Sequence, residues 1–253
     1  MKLALIAGDS PDARAGKTLL EQIYGSIFHP PEVADIWVVL GGDGMMLETL
    51  HKAQGTLKKI FGMNCGTIGF LMNEFQADDL IQRIQAAHIH PFIPLKMVAT
   101  TISGEQIQEV AFNEVSLLRQ TGQAAHISIA VDDKERLPEL ICDGVMVSTP
   151  AGSTAYNMSV GGPILPLEAQ LLALTPISAF RPRRWRGAIL PQRSTLTFKM
   201  LDPINRPVSA VADFKEVRYV THVTVTQAFT VTAYALFDKG HHLEERILRE
   251  QFS

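Results

Sequence analysis

The sequence predicts an α/β domain built on a parallel sheet, then an antiparallel all-β domain, with a final helix packing back on the first. Three observations carry this reading. Through residue 93, short unbroken apolar runs bounded by glycines alternate with stretches of helical periodicity, the pattern of parallel strands joined by right-handed crossovers. From Pro94 onward the texture changes to β-branched runs with period-two alternation. The last stretch, LEERILREQF, returns to helical spacing, with acids leading and Arg249 trailing as the macrodipole favours. The expected domains are 1–93, with 240–253 returning to it, and 94–239.

Taken in order, LALIA (3–7), ADIWVVL (34–40) and KKIFGM (58–63) are apolar throughout, as strands covered on both faces must be. KTLLEQIYGSIF, MMLETLHKA and FQADDLIQRIQAA read as helices, the last with Leu80, Ile81 and Ile84 on one face. In the second domain LKMVATTIS, QEVAFNEVSLL, AHISIAVD, STLTFKML, PVSAVAD, EVRYVTHVTVTQ and FTVTAYALF are strand-like. Within THVTVTQ, His222, Thr224 and Thr226 share one face while Val223 and Val225 take the other. Pro91 and Pro94 mark the boundary.

Bulk properties exclude several classes. The 253 residues are 46% hydrophobic and 19% charged, with a formal charge of −3, which offers no pull toward nucleic acid or anionic membrane. No apolar stretch approaches the roughly 18–20 residues of a membrane span. The opening MKLALIAGDSPD turns polar too soon for a signal peptide and reads as a first strand. Cys65 and Cys142 stand far apart, which predicts reduced thiols in a cytoplasmic protein rather than a disulfide or zinc framework.

The densest chemistry begins where ADIWVVL ends in Gly41-Gly42-Asp43-Gly44. Two phosphate-loop patterns fail elsewhere. Gly16-Lys17-Thr18 resembles the tail of a P-loop, but Pro11 stands where its first glycine is needed and has no N–H to offer an anion. The dinucleotide pattern fails because Leu47 takes the place of its third glycine. What remains is a glycine turn between a strand and a helix N-terminus, a place where α/β sheets bind ligands and phosphates. Glycines permit close backbone approach and positive φ, and Asp43 could take a proton from an attacking hydroxyl or help hold magnesium. Asp43 as a helix N-cap is the competing structural explanation.

Two further stretches favour a site. Residues 143–163, DGVMVSTPAGSTAYNMSVGGP, place the Ser153 and Thr154 hydroxyls and the flat face of Tyr156 at a short helix, suited to a nucleoside. Asn113 and Glu114 set an amide beside a carboxylate, as a ribose diol would need. Neighbouring strand residues point to opposite faces, so a shared ligand requires a bulge or a strand end.

Together GGDG (41–44), MNCGTIGFL (63–71), NEV (113–115) and DGVMVSTPAGSTAYNMSVGGPI (143–164) resemble the bacterial NAD kinases in order and spacing. The resemblance implies transfer of the γ-phosphoryl group of ATP to the 2′-hydroxyl of the adenosine ribose of NAD. It makes Asp43 the base and sets Gly41, Gly42 and Gly44 at the phosphates, with Mg²⁺ carried by ATP. Asn113 and Glu114 would bind the nicotinamide ribose. Thr154, Ala155 and Tyr156 would line the adenine pocket, continued by Asn157, Met158 and Ser159. Asp143, Ala151 and His126 match other NAD-contacting positions, and Phe70 and Leu71 help wall the pocket. A homodimer or homotetramer is implied. The chain departs from the family pattern at Met45, Ile141, Ala151 and Phe214, and Asp213 carries over only a tentative role. The alternatives are a lipid or sphingoid kinase sharing GGDG, which leaves the STAYNMS stretch without a reason, and an NAD-binding regulator that has lost turnover.

His88 and His90, and His241-His242, lack a third metal ligand nearby. Arg181, Arg183, Arg184 and Arg186 around Trp185 form a compact basic patch, read as a solvated or interface strand or as a site for acidic phosphates. The nine methionines read as packing.

Overall fold

The structure is a computed structural model that describes residues 1–66 and 69–240, in two compact units. The first spans Met1–Ile93 and is rejoined by the chain from Thr230; the second is Pro94–Phe229.

The first unit opens with β1 (Leu3–Ala7), α1 (Pro11–Tyr24), β2 (Ile36–Gly41), α2 (Asp43–Ala53) and β3 (Lys59–Asn64). β4 (Asn73–Glu74), α3 (Leu80–Ala86) and β5 (His88–Phe92) follow. β1, β2 and β3 pair in parallel, and every residue of the central β2 is buried, which is why its sequence shows no polar alternation. Leu3, Val38, Leu40, Phe61 and Met63 form one core with Ala13 and Leu20 of α1 and Leu80 and Ile84 of α3. α1 begins earlier than its apolar spacing suggests. Ser10 caps it by accepting the Ala13 N–H at 3.2 Å, and Pro11 sits where a helix needs no N–H donor. Gly16 therefore lies inside a helix, where an added Cβ would stand 2.9 Å from the Phe75 ring; it is a packing glycine.

The second unit carries β6 (Leu95–Thr101), β7 (Gln106–Ala111), β8 (Glu114–Arg119), β9 (Ala125–Val131), β10 (Lys134–Cys142) and β11 (Gly144–Ser148). After the short α4 (Tyr156–Ser159) come β12 (Leu171–Ile177), β13 (Ala188–Pro191), β14 (Leu196–Met200), β15 (Val208–Ala212), β16 (Lys215–Val217) and β17 (Val220–Gln227). They form two antiparallel sheets, β10-β9-β14-β17-β6-β7 and β13-β12-β11-β8-β15-β16. Met97, Ile127, Phe198 and Val223 of one and Val115, Leu117, Val145 and Leu174 of the other share one core. Val223 and Val225 are buried as the period-two reading expects.

β18 (Ala233–Phe237) is a correction. Its run was expected in the second domain, but it pairs in parallel with β3 and antiparallel with β5, inside the first sheet. Its near-continuous burial, with only Tyr234 partly exposed, is that of a strand covered on both faces. β5 was not expected either: His88 and His90 lie on this edge strand, and the His90 ring packs edge-on against Phe92 at 4.8 Å. Both cysteines are unbridged. The expected C-terminal helix, with His241-His242, lies outside the described residues.

Candidate active site

In the first unit the chain leaves buried β2 and enters α2 within two residues, Gly42 acting as the N-cap without a side chain to offer. Asp43 is thus the first residue of the helix and does not cap it. Its carboxylate reaches across to the segment after β3: Oδ2 accepts the Phe70 N–H at 2.8 Å and Oδ1 the Leu71 N–H at 2.9 Å. Two charge-assisted bonds fix the orientation of a half-buried carboxylate beside a helix N-terminus.

The glycines here are not used for positive φ, which none of them adopts. Gly41 is required by contact, since an added Cβ would lie 2.7 Å from the Met45 Cβ. Gly42 and Gly44 face open space, with nothing within 4 Å of a Cβ built on either. The loop thus presents bare backbone at the start of a helix, the arrangement that accepts phosphate. Met45 packs toward Gly41 and Gly8 and supplies no hydroxyl.

In the second unit Asn113 and Glu114 stand at a strand end, where β8 begins, which removes the objection that neighbours in a strand diverge. Asn113 Oδ1 and Glu114 Oε2 are buried and have no hydrogen-bond partner among the described residues. Buried acceptors without partners cost free energy, so a ligand with hydroxyl donors is the natural complement. Burial, and then the charge of Asp213, pushes the Glu114 carboxyl up to about 7.

The loop from Thr149 to Pro163 is tied to this strand end. Thr149 donates its N–H to the Asn113 carbonyl at 2.9 Å and its hydroxyl to the Phe112 carbonyl at 2.6 Å. Gly152 lies so close to the Asn113 main chain that a Cβ would come within 2.2 Å of its carbonyl oxygen. Two residues expected to face a ligand turn inward instead. Ser153 Oγ donates to the Pro150 carbonyl at 2.7 Å and accepts from the Leu165 N–H at 2.9 Å. Asn157 is fully buried and bonded to Ser153, Pro163 and Thr175. Both hold the loop's shape. Thr154, Ala155 and Met158 are half-buried, Ala151 is buried, and Tyr156 and Ser159 are exposed.

A family model described as the ATP-NAD kinase C-terminal domain matches residues 112–230. An NAD kinase of Mesorhizobium japonicum is 54% identical over 250 residues, 99% of this chain and 96% of that one. The chain belongs to the NAD kinase family. An NAD kinase of Caulobacter vibrioides is 51% identical over 252 residues, 100% of this chain and 96% of that one. The fold is shared with a yeast NADH kinase complexed with NADH, at a TM-score of 0.84 and 21% identity over 100% of this chain and 87% of that chain. It is also shared with an Archaeoglobus fulgidus NAD kinase in complex with ATP, at a TM-score of 0.74 and 21% identity over 99% and 98%.

Not every position matched to the NAD kinase pattern gathers at one place. Along the paired strands Ser148 lies opposite Glu114, and Gly144 opposite Leu118. Asp143 is therefore six strand residues from the level of Asn113, about 20 Å at ~3.3 Å per strand residue. There it accepts from Arg119 Nε at 2.6 Å. His126 belongs to the same end, pairing with Ile141 and bonding Glu139 through Nδ1 at 2.8 Å. Sequence reasoning gave Asp213 little weight, yet it binds three backbone N–H groups around Asn113. The only advance signal was the family match of that position.

Proposed function

We propose that this member of the NAD kinase family transfers the γ-phosphoryl group of ATP to the 2′-hydroxyl of the adenosine ribose of NAD, giving NADP. Asp43 accepts the proton of that hydroxyl as the oxygen attacks phosphorus, in line with the departing ADP oxygen. Its clamped carboxylate, with an orientation set by two backbone N–H bonds before any substrate arrives, carries the reading. The bare backbone of Gly42 and Gly44 at the helix N-terminus receives phosphate oxygens. Asn113 and Glu114 supply the unpartnered acceptors for a ribose diol, and Tyr156, 38% exposed, offers its ring to adenine.

Mg²⁺ fits this site as a companion of ATP. The described residues bring no group of three ligating side chains together, and a magnesium ion on phosphates keeps its waters and needs few protein ligands. It would offset the charge of the transferring phosphoryl group. A homodimer or homotetramer is the assembly we favour, since the sheets end in exposed edges such as β7 and β13. Asp143 and His126, standing at the far end of their strands, enter the reading only as contacts to an NAD held by a second copy.

The test is direct. Purified protein incubated with NAD, ATP and Mg²⁺ is expected to yield NADP, with the new phosphate assigned to the 2′ position by ³¹P NMR. NAD binding without any NADP would leave a regulator and overturn the proposal.

A further inference from the structure

Asp213 sits in the turn between β15 and β16 with a φ of 54°, the left-handed region. Its Oδ2 accepts the Phe112 N–H at 2.7 Å, and its Oδ1 accepts those of Asn113 and Glu114 at 3.0 and 3.2 Å. Its own N–H donates to the Glu114 carbonyl at 3.1 Å. On the other side of the same three residues, Thr149 takes the carbonyls of Phe112 and Asn113. Asp213 therefore gathers the N–H groups, and Thr149 the carbonyls, of the segment from which the two unpartnered oxygens project.

We propose that Asp213 is a positioning residue for substrate: its carboxylate fixes the Asn113–Glu114 main chain in the geometry that binds the ribose diol. This rests on the reading of that pair as the ribose contact. Without Asp213, three N–H groups at a half-buried strand start would lose their acceptor, and the pair would sample several directions. The same carboxylate also acts through its charge. Burial first, and Asp213 second, keep Glu114 protonated up to about pH 7. Ser148 and Thr149 face it from β11 and the following loop and do not titrate, while Lys215 on β16 is taken by Glu109 at 2.6 Å. Asp213 is thus the charged neighbour whose removal changes the ionisation of Glu114.

Two variants separate the two roles. Asp213→Asn tolerates positive φ and keeps one acceptor oxygen; Asp213→Ala keeps none. Both lose the charge. NAD dissociation constants are measured by calorimetry from pH 5.5 to 8.5, with a thermal melt to confirm folding. In the wild type, affinity is expected to rise with pH through about 7 as Glu114 ionises and can accept the diol hydroxyls. In both variants that midpoint moves to lower pH. At pH 8.5, Asp213→Asn loses about three-fold and Asp213→Ala about ten-fold in affinity, a fraction of what one and three displaced N–H groups cost the main chain. If Asp213→Ala fails to fold, Asp213→Asn alone decides. Wild-type binding that follows pH, with an unmoved midpoint and affinity in a folded variant, would overturn the positioning role and leave the ribose reading intact. Wild-type protein that binds no NAD at any pH would overturn both.

Discussion

Asp43→Asn is the substitution most often chosen to remove a catalytic carboxylate while leaving a fold alone, and here it should do more. Asparagine keeps one acceptor oxygen and turns the other into an NH₂ donor. Of the Phe70 and Leu71 N–H groups that Asp43 now satisfies at 2.8 and 2.9 Å, one would meet a donor. A hydrogen bond to a charged group contributes about 1.5–3 kcal/mol. At roughly 2–4 °C per kcal/mol for a chain of this length, the melting temperature should fall by about 3–12 °C. Because Asp43 is only half-buried, the lower part of that range is expected. Turnover should fall further, by about 10²–10⁴-fold for the loss of a general base. Differential scanning fluorimetry and an enzyme-coupled NADP assay read the two effects on one preparation. An unchanged melting temperature would refute the clamp, and turnover within a few-fold of wild type would refute the base.

Gly152→Ala forces a methyl group against main-chain atoms of Asn113 that no rotamer change can move, at 2.2 to 2.5 Å. The cost should reach about 3 kcal/mol, visible as a reduced urea midpoint, and an unaltered midpoint would contradict the close approach. Tyr156→Ala should cost no more than about 1 kcal/mol of stability, because the residue is 38% exposed, yet raise the NAD dissociation constant about ten-fold in calorimetry. Glu114 ionises near 7 in the fold against an ordinary 4.5, so the folded state holds the proton more tightly. Its contribution to stability is complete below pH 4.5, falls as pH rises toward 7, and amounts to at most about 3 kcal/mol. Glu114→Gln should therefore be the more stable protein at pH 8 and weaker in NAD binding; equal stability profiles across pH would count against the shift.

What could be read in the sequence was what depends on local pattern. β2 and the GGDG turn show themselves because an unbroken apolar run ending in glycines admits few structures, and THVTVTQ shows its buried face through Val223 and Val225. The missing pieces depend on distant residues. The apolar spacing starts α1 only at Lys17 because small and polar residues hide its first turns, although Ser10-Pro11 is a start signal. β5 carries a proline and two histidines that only an edge strand tolerates, and its partner lies in β18, far along the chain. Ser153 and Asn157 have the chemistry of ligand contacts but are turned inward by Leu165, Pro163 and Thr175. Residue type tells what a side chain can do, while its direction is set by the fold around it.

The late return of β18 to the first sheet also sets an order of synthesis. Among the described residues β5 has no sheet neighbour other than β18, and β3 lacks one of its flanking partners until that strand exists. On the ribosome, residues 94–229 emerge complete before β18 does, so the inserted unit can close while the surrounding one waits with open strand edges. Over that interval the nascent chain is half finished at its beginning, and a stop anywhere before Ala233 would leave the earliest-made strands as the unprotected ones.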